Sequence, residues 1–249
     1  MLKKLKRILE TYVPKTYVLK TERTPEGIDG RLFSYVDTDS SISEQYRVFR
    51  THLYNLSPAK PLKTILITSG QDEEGKTSTA ANLAYTLSLD TRKKTILVDA
   101  DFRKPLIHKF FSIPRDPGAT NVLLGNATID KLIEKPALGN LFILPSGASV
   151  TNPSELMASS QIKEMIDALS AKFDTVIFDS PPVLHVADAS ILGSLCDCVL
   201  LVVKAEVTQK NMIQDAFNAL KAAHAKPKAC ILTNYNAWPS DYIYKSYKS

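Results

Sequence analysis

The hydrophobic positions of this chain gather into short unbroken runs. Thr64-Ile65-Leu66-Ile67-Thr68, Thr95-Ile96-Leu97-Val98-Asp99, Leu141-Phe142-Ile143-Leu144, Thr175-Val176-Ile177-Phe178-Asp179, Cys198 to Val203 and Ala229-Cys230-Ile231-Leu232 each read as a strand buried on both faces. Stretches of helical period lie near 76–90, 154–170 and 208–225. Strands alternating with helices predict an α/β fold, a doubly wound, mostly parallel sheet flanked by helices. Residues 1–40 lack the pattern, carry Pro14, Pro25, Gly27 and Gly30, and read as an irregular arm. Residues 41–234 make the predicted domain, and 235–249 a short polar tail.

The turn after the first strand fixes the ligand class. Gly70-Gln71-Asp72-Glu73-Glu74-Gly75-Lys76-Thr77 has the form G-x-x-x-x-G-K-[ST] between a strand and the helical stretch opening at Ser78. Glycines let backbone N–H groups wrap phosphates, and a helix N-terminus favours negative charge. ATP and Mg²⁺ are the expected ligands. Lys76 would reach the outer phosphates and the Thr77 hydroxyl would face the cation. Asp72, Glu73 and Glu74 repel a polyphosphate unless they point outward or meet basic residues.

Carboxylates stand at two other strand ends, where doubly wound sheets bind ligands. Asp179 is the expected metal-orienting acid. Asp99 and Asp101 alternate in direction if their strand continues. One suits a water-mediated hold on Mg²⁺ and the other a proton acceptor. Asp99 is taken as the base and Asp101 as a metal ligand. Arg103 and Lys104 follow, able to neutralise phosphate or meet a neighbouring subunit.

Composition changes this picture little. Of 249 residues, 44% are hydrophobic and 23% charged, which is ordinary for a globular domain. A net charge of +5 does not by itself argue for nucleic acid. Lys3, Lys4, Lys6 and Arg7 alternate with Leu2, Leu5, Ile8 and Leu9, a pattern that suits an acidic membrane surface or a partner helix. Cys196, Cys198 and Cys230 form no disulfide-like or zinc-like framework and fit a reducing cytoplasm. No secretory leader or spanning run is visible, so a membrane link is expected through a partner or a surface contact.

The nucleotide loop, Val98-Asp99-Ala100-Asp101-Phe102-Arg103-Lys104-Pro105, and Phe178-Asp179-Ser180-Pro181-Pro182 with Asp188-Ala189 downstream together resemble the bacterial tyrosine kinases of capsule and exopolysaccharide synthesis. These lie within the ParA/MinD-like P-loop ATPases, and the resemblance runs from about residue 40 to the C-terminus. Glu44-Gln45-Tyr46-Arg47-Val48-Phe49-Arg50 resembles the family's E-x-x-R-x-x-R segment, an oligomer contact in ring assembly. On a helix, Glu44, Arg47 and Arg50 would span about a 120° arc. Asn234 resembles the residue that reads the adenine edge. Four of the ten tyrosines, Tyr235, Tyr242, Tyr244 and Tyr247, lie in the last fifteen residues, where the family is phosphorylated in trans.

The resemblance implies a tyrosine autokinase that regulates polymer export. It also implies a ring of copies, a separate membrane co-polymerase as activator and a cognate phosphatase. The enzyme would then sit in the cytoplasm, peripherally at the plasma membrane. Two rival classes share these features. A ParA/MinD-like ATPase without kinase activity is disfavoured by Gln71, where such relatives often carry a signature lysine, and by the tyrosine tail. A catalytically weak scaffold of the export complex draws its support from the acidic loop.

Overall fold

The computed structural model describes residues 12–14, 23–57, 60–133 and 136–235. Its strands are β1 (Tyr12–Pro14), β2 (Thr64–Ser69), β3 (Thr95–Asp99), β4 (Leu141–Leu144), β5 (Thr175–Asp179), β6 (Cys198–Lys204) and β7 (Pro227–Tyr235). All pair in parallel, in the order β1-β7-β6-β2-β5-β3-β4. Successive side chains of each run enter opposite layers. Ile65 and Ile67 join one core with Leu97, Ile177, Leu200 and Val202, while Leu66 joins the other with Val98, Phe178 and Leu201. Two buried faces explain why these strands read as continuous apolar runs.

The helices are α1 (Phe33–Val36), α2 (Ser41–Asn55), α3 (Lys76–Ser88), α4 (Ile107–Phe110), α5 (Ala119–Leu123), α6 (Ile129–Leu132), α7 (Pro153–Met157), α8 (Ser160–Lys172), α9 (Asp188–Leu195) and α10 (Lys210–Ala222). The helix expected over 154–170 is two helices. Pro153 opens α7, and Ser159, in an extended conformation, restarts the chain as the N-cap of α8. The loop after β2 falls near the middle of the sheet, between β6 and β5.

The segment expected to be an irregular arm contributes structure. β1 covers the outer side of β7, and β7 itself takes in Tyr235, the first residue of the expected tail. Residues 23–40 lie against α2, α3 and α4, with Ile28 and Leu32 buried. A buried amide is one of the contacts that seat them. Asn82 of α3 has no exposed surface, and its Oδ1 accepts from the Ser34 backbone N–H at 2.9 Å. Its Nδ2 donates to the Arg31 carbonyl and to the Ser78 carbonyl, each at 2.8 Å. The Arg31 guanidinium lies 4.5 Å from the Phe110 ring centroid and is held by both oxygens of Asp29.

Replacing Asn82 by alanine leaves the buried Ser34 N–H without its partner and the Arg31 carbonyl with only the Ser78 hydroxyl, at 3.3 Å. The expected loss is about 2–4 kcal/mol in urea denaturation, with the Ser34 amide exchanging well before the sheet amides. Unchanged exchange at Ser34 would show that the arm is held by something else.

Candidate active site

The loop between β2 and α3 closes at Gly75, whose φ of +92° is the left-handed conformation that glycine adopts without strain. Gly75 is also the N-cap of α3 and offers no side chain to the first turn. The N–H groups of that turn are therefore available to an anion. Lys76 and Thr77, both buried, are the first residues of the helix.

The three acids of the loop have separate partners. The Lys104 ammonium donates to Asp72 at 2.7 Å and holds its carboxyl below the usual range. His185 Nδ1 stands 3.8 Å from the same carboxylate. Glu74 is turned inward and is 3% exposed. It accepts from the Gln71 N–H at 2.9 Å and from the Thr208 hydroxyl, and its carbonyl accepts from Thr233 Oγ1 at 2.7 Å. Glu73, with φ +61°, is the exposed one. The feared repulsion is therefore compensated at Asp72 and Glu74, through residues far away in sequence.

Behind the loop the strand-end acids converge. Asp99 and Asp179 are register partners on β3 and β5. Asp101 Oδ2 lies 3.8 Å from Lys76 Nζ, and its Oδ1 accepts from the Lys104 N–H at 2.9 Å. Asp99 is wholly buried, with its oxygens accepting from the Ile107 and Asp101 N–H groups at 3.1 and 3.3 Å. Burial first, then the charge of Asp179, raises its pKa well above the carboxylate range. Burial pushes Asp179 up to about 7, against the pull of Lys76 and the Thr77 hydroxyl. Asp179 Oδ1 is buried without a hydrogen-bond partner.

That orphaned oxygen, beside Thr77 and Asp101, fits the hard-oxygen chemistry of Mg²⁺. Among the described residues, no group of three or more His, Cys, Asp or Glu side chains is arranged to hold a metal. A cation that takes one or two carboxylates and completes its shell with water and phosphate suits such a site.

A cleft of about 830 Å³ lies above these groups. It runs from Lys204, Thr233 and Asn234 at the ends of β6 and β7, over residues 72–79, to Lys104, Leu106 and Phe110 beyond β3. Arg31 and Phe33 of the arm line it as well. Asn234 lines this cleft together with the loop residues. Arg103 does not line the cleft. Its Nε binds Asp188 at 3.1 Å and its Nη2 binds Ser154 at 2.7 Å, away from the loop. Lys104, its neighbour, is the basic residue that faces the loop.

The Glu44 face is partly used within the chain. Arg47 binds Glu44 at 2.6 Å and the Thr38 carbonyl, while Arg50 binds the Thr86 carbonyl of α3 at 2.9 Å. Tyr235 ends β7, whereas Tyr242, Tyr244 and Tyr247 lie outside the described residues, as does the basic segment 1–10. No local sequence signal marks Arg31, Phe33 or Thr208 as part of this region, because each arrives through tertiary contact.

The family model described as an AAA domain matches residues 62–231. Tyrosine-protein kinase YwqD of Bacillus subtilis is 39% identical over 190 residues, covering 76% of this chain and 80% of its own length. Tyrosine-protein kinase CpsD of Streptococcus agalactiae is 32% identical over 200 residues, 80% of this chain and 86% of its own. The solved kinase domain of the Escherichia coli tyrosine kinase ETK superposes with a TM-score of 0.80 at 25% identity, covering 90% of this chain and 88% of that one. The chain belongs to the bacterial tyrosine kinases of capsule and exopolysaccharide synthesis.

This kinase is built on the ParA/MinD-like P-loop fold, a family of nucleotide-binding proteins. Among the described residues of the kinase, no helix is long and apolar enough to cross a membrane. The raised acids have a consequence for stability. A carboxyl whose folded pKa exceeds its unfolded value binds more protons when native, so its contribution falls as pH rises from about 4 through about 7. Replacing Asp179 by asparagine removes that loss. The nucleotide-free variant should gain on the parent, by on the order of 1–3 kcal/mol, between about pH 5 and pH 8 in thermal or urea melts. A constant difference across that range would mean that Asp179 is ionised throughout.

Proposed function

We propose that the kinase transfers the γ-phosphoryl group of ATP to tyrosines of the C-terminal segment of a neighbouring copy, Tyr242, Tyr244 and Tyr247 first and Tyr235 after them. The observation that carries this reading is the buried contact of Lys76 with Asp101, at the first turn of α3 and beside the unpartnered oxygen of Asp179. Transfer forms a bond from the phenolic oxygen to the γ-phosphorus and breaks the bond to the β,γ-bridging oxygen, which leaves with ADP. The phenolic proton goes to the acid cluster.

Asp99 has the raised proton affinity that suits a base, while Asp101 stands nearer to Lys76; asparagine at each position separately tells the two apart. Lys76 and the N–H groups of residues 75–78 stabilise charge on the transferring group. Mg²⁺, held by Thr77, Asp101 and Asp179, would supply further neutralisation. Asn234 reads the base. Arg103, through Asp188 and Ser154, positions the turn that carries Asp101.

Incubation with Mg·ATP, read by intact mass and peptide mapping beside Lys76→Met, tests the transfer. A candidate activator segment from a membrane co-polymerase belongs in the assay. Phosphates on Tyr242, Tyr244 or Tyr247 that vanish in Lys76→Met are expected. ATP binding with no phosphate, activator included, would turn the reading towards an ATPase or a scaffold.

The Glu44, Arg47 and Arg50 face is proposed as the contact between copies in a ring. Each phosphotyrosine adds about −1.5 to −2 charge near neutral pH, so crowded phosphorylated tails repel one another and the ring comes apart. That gives a cycle which regulates polymer export, with a cognate phosphatase resetting it. The enzyme would work at the inner face of the plasma membrane, held there by its co-polymerase. Alanine at Glu44, Arg47 and Arg50 together should give folded monomers by light scattering, slightly less stable for loss of the Arg50 bond to Thr86. Oligomers of parental size in the triple variant would remove this face from the assembly.

A further inference from the structure

Four basic side chains line the cleft, Arg31, Lys76, Lys104 and Lys204, and they differ in how firmly they are held. Both oxygens of Asp29 hold Arg31, which also lies over the Phe110 ring. Lys76 is buried against Asp101. Lys204 ends β6 and is the register partner of Thr233, next to Asn234. Lys104 is held differently: its ammonium meets Asp72 at 2.7 Å, and its side chain is 72% exposed. An exposed pair of this kind adds little stability. The flexible stem of a lysine lets its ammonium exchange one anion for another.

The backbone of Lys104, by contrast, is pinned. Its N–H donates to Asp101 Oδ1 at 2.9 Å, while Lys76 Nζ stands 3.8 Å from Oδ2 of the same carboxylate. One carboxylate therefore keeps the root of Lys104 close to the ammonium at the first turn of α3. A phosphate drawn to Lys76 is drawn towards both lysines. Asp72 is not left bare when Lys104 departs, because His185 Nδ1 stands 3.8 Å from the same Oδ2 that Lys104 occupies.

We infer that Lys104 is a binding residue for the γ-phosphate of ATP, and that Asp72 is its internal competitor, holding the ammonium on the loop until a terminal phosphate displaces it. A terminal phosphate carries about −1.5 to −2 charge near neutral pH, against the single charge of a carboxylate. ADP ends one phosphate short of Lys104, so the ammonium stays on Asp72. The exchange thus tells substrate from product. It rests on ATP binding in this cleft, as proposed above, and not on which tyrosine is the acceptor.

Nucleotide binding without turnover tests the assignment in the full-length kinase with Mg²⁺. Kd is measured for a non-hydrolysable ATP analogue and for ADP. In the Asp72→Asn background, where position 72 carries no charge to neutralise, Lys104→Met should weaken the analogue about tenfold, the scale of one charge-assisted hydrogen bond, and ADP less than about threefold. A loss below about twofold for the analogue would mean that Lys104 serves only to neutralise Asp72. An equal loss for both nucleotides would place Lys104 away from the γ-phosphate. Either result overturns the assignment.

The second measurement needs no variant. An acyl phosphate of ATP transfers its acyl group to a lysine amine beside the γ-phosphate and releases ATP. Peptide mapping of the labelled parent should find the adduct on Lys104, suppressed when free ATP competes. Adducts confined to other lysines, none at all, or labelling of Lys104 that ATP does not suppress would overturn the contact. A kinase that passes both tests and forms no phosphotyrosine would lose the proposed transfer and keep the contact. A parent that binds neither nucleotide would overturn the reading of the cleft, and the contact with it.

Discussion

Three buried carboxylates, Asp99, Asp101 and Asp179, share the neighbourhood of one buried ammonium group, Lys76. Like charges in a poorly solvated space cannot all ionise freely, so burial and mutual repulsion raise the proton affinity of Asp99 and Asp179 in the nucleotide-free site. Phosphates alone would add to the negative excess. On the function proposed above, a phosphate that arrives with a divalent cation would reverse the balance, since the cation would give Asp179 the partner it lacks. Nucleotide and metal would then bind as one species for electrostatic reasons. The sheet is what keeps the acids together: Asp99 and Asp179 end adjacent strands in register, and the loop after β2 delivers Lys76 from the next position.

The same accounting of charge explains a loop that looks hostile to its ligand. Two of its three acids belong to the protein's own hydrogen-bond network. Glu74 joins the loop to Thr208, just past β6, and to Thr233 of β7, and so fixes the loop against the strand that carries Asn234. Asp72 holds Lys104, which phosphates can draw away because the pair is exposed. Charge in the loop thus ceases to be an argument for a site that has lost its nucleotide.

The central strands were legible because burial on both faces leaves an unbroken apolar run, and the loop because its glycines and lysine sit at fixed spacing between strand and helix. Helices α4, α5 and α6 were not, since four or five residues show no helical period. The packing of the arm was hidden for a different reason. Its order comes from Asn82 and from Arg31 on Phe110, contacts that join residues about 50 and 80 positions apart and leave no local pattern. Arg103 was drawn towards the phosphates by its position after Asp101. Its partner Asp188 lies 85 residues on, and only the folded chain reveals that pull.

One amide on α3 gives the arm a mechanical meaning. Residues 31 to 34 are a wall of the cleft and also a tether between whatever lies upstream and the helix that carries Lys76. Arg23 and Asp29 share that hold, through Ser112 and the Phe110 carbonyl, so the cleft wall at Arg31 and the helix that carries Lys76 are bound into one piece.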